Sequence, residues 1–124
     1  MKNKKPKLYF AHSKLIYDTD LEKQQLELIE QKFPKYEIIS PNVNIVFSGM
    51  IGCFQIIEDC QLLIFSTIDN FIGKGVHSEI EFAKNIGIKI LWLNDESFYE
   101  NFSIKIFDSH DWILKFAKVR ICKK

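Results

Sequence analysis

A chain of 124 residues, 47% of them hydrophobic, suits one domain, residues 1–124, with a core that needs no disulfide or metal. Its 17 basic and 16 acidic residues leave a formal charge of +1, so no global field argues for nucleic acid or an anionic membrane as partner. No apolar run approaches the roughly 20 residues a membrane helix needs, and the basic start is not followed by a signal-peptide core.

In chain order, residues 7–12, KLYFAH, are short, apolar and aromatic and predict a buried strand. Residues 17–33 then turn helical. Thr19 with Glu22 fits a capping box, while Leu21, Leu28, Ile29 and Phe33 fall on roughly one face. Pro34 stops that helix, and YEIIS, 36–40, predicts a second strand closed by Pro41. A loop over 42–48 leads to a second helix over 49–60, with Met50, Cys53, Phe54 and Ile57 inward. QLLIFST, 61–67, is almost continuously apolar, the pattern of a strand covered on both faces.

The stretch from Gly73 to Leu93, GKGVHSEIEFAKNIGIKILWL, predicts a glycine turn, a helix and a strand. Val76, Ile80, Ala83 and Gly87 share the packed face, and Gly87 suits the position just past the helix end. Residues 94–103 read as a polar, aromatic loop, IKIF at 104–107 as a last strand, and 109–120 as a last amphipathic helix with Trp112, Phe116 and Val119 inward. Strands alternating with helices predict an α/β fold, a three-layer Rossmann-like sandwich with a mostly parallel sheet of four or five strands and an interior first strand.

Cys53, Cys60 and Cys122 form no CxxC pair and are odd in number, the pattern of reduced, cytoplasmic thiols. The dinucleotide fingerprint, the P-loop, HExxH and GxSxG are all missing. The three histidines are scattered, so neither a metal nor a cofactor is expected. In such sheets ligands bind beyond the carboxyl ends of the strands. The residues that fall there include His12, Ser13, Asp69, Asn70 and the stretch from Gly73 to Glu79.

Three stretches, LYFAHS, QIIEDCQLLIFST and GKGVHSEIEFAKNIGIKILWL, together resemble the nucleoside 2-deoxyribosyltransferase-like superfamily, which includes the deoxyribosyltransferases and the nucleoside-monophosphate N-glycosidases. The resemblance covers the first two-thirds to three-quarters of the chain. It implies that Glu79 attacks the anomeric carbon of a small nucleoside or nucleotide, that Gly75 is the turn glycine before it, and that Ala83 is the small residue one turn later. Members often complete the pocket from a second subunit, which implies a homodimer. The chain departs from the pattern where members carry an Asp about two turns before the third strand; the count lands near Cys53.

Read from the residues, Glu79 in a first helical turn meets free amides and the positive end of the helix dipole, which suits a cap and an ionised nucleophile alike. His12 at a strand end fits protonation of a departing base or contact with a phosphate. Ser13, Asp69, Asn70, Gly73, Gly75 and Ser78 are the candidate sugar or phosphate contacts, and Phe71 is the best placed ring for stacking on a base. Two further readings remain open. One is a nucleotide-binding sensor or sponge without turnover. The other is a Toll/interleukin-receptor-like NAD glycohydrolase, which also uses a Glu on an α/β scaffold.

Overall fold

The computed structural model describes residues 5–13, 16–41, 49–68, 71–102 and 105–106. Strand β1 is Lys7–Ala11, helix α1 Asp20–Lys32, β2 Glu37–Ile39, α2 Gly49–Glu58 and β3 Leu62–Ser66. They are followed by β4 Phe71–Ile72, α3 Lys74–Asn85, β5 Lys89–Asn94, β6 Ser97–Tyr99 and β7 Lys105–Ile106. The main sheet has the order β2-β1-β3-β5-β6, with the first four strands parallel and β6 antiparallel to β5.

Both β1 and β3 are buried along nearly their whole length, because side-chain alternation feeds two cores. Tyr9, Ala11, Leu63 and Phe65 point into one core with Ile57 of α2 and Val76, Ile80 and Ala83 of α3. Leu8, Phe10, Leu62 and Ile64 point the other way, onto Ile29 of α1. The chain steps from β1 out to β2, crosses back to β3 and runs on to β5. That reversal leaves α1 on one face and α2 with α3 on the other. The expected three-layer α/β sandwich is therefore the observed one, and its switch point lies between β1 and β3. Burying each Leu, Ile or Phe completely contributes about 1.5–3 kcal/mol against the entropy of ordering the chain.

Helix α3 closes as its sequence predicts. Gly87 adopts φ +83, its amide donates to the Lys84 carbonyl, and the Ile88 amide donates to that of Ala83. These two bonds make a Schellman motif, which needs a left-handed residue that glycine accepts without strain.

Helix α1 begins at Asp20 with Thr19 as its cap, accepting the Glu22 amide, as the capping-box spacing predicts. The structure corrects three expectations. The buried residues of α1 are Glu22, Gln25 and Ile29, while Leu21 is 42% exposed. The inward face is thus turned towards Glu22. The expected loop over 94–103 contains β6: Asp95, at φ 56, takes the left-handed conformation that Asp tolerates, and Asn94 pairs with Ser97 across the turn. Phe98 then packs edge-on against Phe33 and Tyr99 lies against Trp92. Strand β7 joins β4 in a separate two-stranded sheet rather than extending the main one. The loop over 42–48 and the last helix, with Trp112, Phe116 and Val119, lie outside the described residues, as do Met50's side chain and Cys122. No helix among the described residues is long and apolar enough to cross a membrane.

Candidate functional site

Glu79 stands in the second turn of α3, not the first. The helix starts at Lys74 with Gly73 as its N-cap, and no acidic residue occupies the first turn. Glu79 is therefore no cap, and the dipole, whose effect fades beyond the first turn, is not what holds it. Ser78, expected as a cap or contact, is the fifth helical residue and half-buried, and Gly75 is the second, so neither forms a turn. The misplacement has a simple cause: extended Gly73 starts the helix five residues before Ser78, and Gly75 carries no barrier to helical geometry.

What remains is a carboxylate on the buried stripe of an amphipathic helix, with Val76, Ile80 and Ala83. Glu79 is 5% exposed. A buried charge is tolerated only when it is paired or hydrogen-bonded. The Tyr9 hydroxyl supplies that bond, donating to Glu79 Oε2 at 2.5 Å. Tyr9 lies in β1, wholly inside the fold, and its phenol is pushed far above the ordinary tyrosine range. Burial is the main cause, followed by the Glu79 charge and by hydrogen bonds to the Cys53 and Glu79 side chains. It therefore keeps its proton and acts as a donor. Cys53 lies on α2 and is half-buried.

A second polar pair occupies the other face of β1. His12 Nε2 lies 2.6 Å from Glu22 Oε2, and Nδ1 lies 3.0 Å from the Phe10 carbonyl. Neither side chain is open to solvent: they are 0% and 7% exposed. The imidazole stacks on Phe10, with ring centres 4.0 Å apart. Burial lowers the His12 pKa, and the Glu22 bond, the Phe10 carbonyl and the Glu22 charge oppose that. Glu22 Oε1 accepts the Asp18 amide at 2.8 Å. The expected capping box is thus half present. Thr19 takes the Glu22 amide, but the Glu22 carboxylate reaches past Thr19 to Asp18 and His12.

Tyr17, half-buried, lies beside the second pair, its ring 5.1 Å from that of His12. Its phenol is also pushed upward, by burial first and then by Glu79, Cys53 and Glu22.

The other expected contacts divide. Ser13 follows β1 half-buried, with its carbonyl accepting the Ile16 amide. Gly73 is the half-buried helix cap. Phe71, half-buried, belongs to β4 and pairs with Lys105. Asp69 and Asn70 lie outside the described residues. His77 pairs with Glu81 at 3.7 Å on the outer side of α3, away from Glu79 as its spacing required. Two grooves open on the α1 side of the sheet. One, of about 1050 Å³, runs past Gln25, Thr67 and Asn94. The other, of about 600 Å³, is lined by Asp18, Glu22, Ile38 and Ser40. Neither is lined by Glu79. The buried pairs, rather than the roomier groove, are taken as the candidate site, because a paired interior carboxylate costs more to keep than an open polar groove.

No protein-family model matches the chain, and no curated protein matches it either.

Tyr9, Glu22, Tyr17 and Cys53 are the site residues that sequence reasoning missed. Glu22 carried a signal, since it occupies the N3 position of a capping box. Tyr9 carried a weaker one, as the only hydroxyl in its apolar strand. Cys53 carried one only as an inward residue of its helix near which the resemblance's Asp count lands, and Tyr17 carried none, because only the fold brings it to β1.

Proposed function

We propose that the protein cleaves or transfers the N-glycosidic bond of a small nucleoside or nucleotide, with Glu79 as nucleophile. The observation that carries this reading is the buried Tyr9–Glu79 pair at 2.5 Å, in a fold whose ligands bind at the carboxyl ends of the strands. A phenol donating to a carboxylate favours its charged form and fixes its plane, and both suit attack on a sugar carbon.

In this reading a Glu79 oxygen bonds to C1′ of the sugar as the C1′–N bond breaks. The electron pair leaves with the base, which takes a proton, and positive charge spreads over C1′ and the ring oxygen at the transition state. Water then attacks C1′ of the glycosyl ester, releasing the sugar and restoring the carboxylate. An acceptor base in place of water gives transfer. His12 keeps both ring nitrogens engaged with Glu22 and the Phe10 carbonyl, so water supplies the proton to the base.

The low exposure of Glu79 favours a second reading, a site that binds a nucleotide without turning it over. One experiment separates the two. The native chain is incubated with nucleosides, deoxynucleotides and NAD, and free base is sought by chromatography beside Glu79→Gln. Release by the native chain, lost in the variant, is the expected result, and release from NAD alone would mark an NAD glycohydrolase. A ligand that raises Tm without base release would replace the enzyme reading with the binding one.

A further inference from the structure

The His12–Glu22 pair holds one proton whatever its form. Nδ1 faces a carbonyl, which only accepts, so Nδ1 carries hydrogen. Nε2 and Glu22 Oε2 are 2.6 Å apart, too close for two bare acceptors, so a single proton lies between them. The unit is neutral overall, buried and hydrogen-bonded at both ends. It therefore anchors Tyr17 and Asp18 ahead of α1.

Two features tie that turn to it. Asp18 holds the left-handed conformation, φ 63, with its amide on Glu22 Oε1. Tyr17, the preceding residue, rests its ring against His12. Tyr17 is half-buried, whereas Tyr9, His12, Glu22 and Glu79 are all buried. Of this group it is the side chain an incoming ligand meets first.

We infer that Glu22 is a positioning residue of the proposed site: through His12 and the Asp18 amide it holds Tyr17 at the carboxyl end of β1, the sheet edge at which a ligand would bind. The inference rests on the reading of Glu79 as the reacting group. The Tyr17 phenol agrees with that placement, being pushed upward by burial first and then by the charges of Glu79, Cys53 and Glu22. Glutamine at position 22 keeps both bonds, since its N–H donates to His12 Nε2 and its oxygen accepts the Asp18 amide. Methionine there keeps the volume and loses both.

Full-length protein labelled with fluorotyrosine has four tyrosines to assign by Tyr→Phe changes. Glu79→Gln is expected to move the Tyr17 fluorine resonance in the native background and equally in Glu22→Gln. In Glu22→Met that response is expected to vanish. An undiminished response in Glu22→Met overturns the inference, and so does its loss in Glu22→Gln. If Glu22→Met fails to fold, judged by circular dichroism, His12→Phe breaks the same arm and is held to the same outcomes. The spectra require no turnover, so a chain that releases no base but keeps this pattern defeats the proposed chemistry alone. Where base is released, Glu22→Met is expected to lower kcat/KM about a hundredfold, the scale of an ångström's misplacement, and Glu22→Gln to restore it.

Discussion

Replacing Tyr9 by Phe tests the central pair in two ways at once. A hydrogen bond to a charged group contributes about 1.5–3 kcal/mol, and the Tyr9–Glu79 bond is buried. The unfolding entropy of about 2.1 cal/mol/K per residue gives about 0.26 kcal/mol/K for 124 residues, so a loss of about 2 kcal/mol lowers Tm by about 8 °C. The second effect is on pH dependence. The Tyr9 phenol is raised in the folded state, so its stabilising effect is full below pH 10 and declines above it. There the unfolded chain loses a proton that the folded chain keeps. Stability then falls by about 1.4 kcal/mol per pH unit for this one residue. Tyr9→Phe removes that slope. The native chain's advantage of about 2 kcal/mol at pH 8 should therefore shrink to about 0.6 kcal/mol at pH 11. Urea denaturation of both proteins at pH 8, 9, 10 and 11 measures it. A difference that stays constant from pH 8 to pH 11 would refute the buried, protonated Tyr9 donor.

Two glycines should respond in opposite directions. Gly75→Ala adds a Cβ that meets nothing within 4 Å in a helical position, and should raise stability by about 0.5 kcal/mol. Gly87→Ala also meets nothing, but at φ +83 it should lower stability by about 1 kcal/mol, and urea midpoints read both. The Cys60 thiol, 4% exposed, is pushed up to about 11 by burial. At pH 8 about one molecule in a thousand carries its thiolate, so iodoacetamide followed by mass spectrometry should label Cys60 only after unfolding. Rapid labelling of the native chain would contradict its place in the core.

The layers of the fold were legible because hydrophobic patterns are local. KLYFA and LLIFS are apolar on both faces, and the structure places them inside the sheet. Val76, Ile80 and Ala83 announced the buried face of α3, and Gly87 its end. The helix start was misread because Gly73 and Gly75 offer equal freedom, and only the packing of Val76 decides between them. Strand β6 was missed since its three residues pair with β5 through a turn set by left-handed Asp95 rather than by glycine. Glu79 was singled out from the sequence as a candidate nucleophile, yet the structure gives it other neighbours than a helix cap has. Its partner Tyr9 is on another element, and a short-range reading of a helix cannot see a strand beneath it. For the same reason Glu22 was read as a cap, where local geometry and long-range pairing compete for one carboxylate.

The span between Tyr9 and Glu79, seventy residues, also sets an order of events in folding. Strand β1 can pair with β2 once the first forty residues have left the ribosome, but β3 comes later and Glu79 later still. Until α3 docks, the Tyr9 hydroxyl has no carboxylate to meet and the β1 edge that β3 will occupy stays open. Contacts of such long range form slowly, because loop closure must precede them. The Tyr9–Glu79 pair is thus among the last parts of the molecule to assemble, and a chain stalled before α3 would present an unpaired, apolar strand as its most adhesive surface.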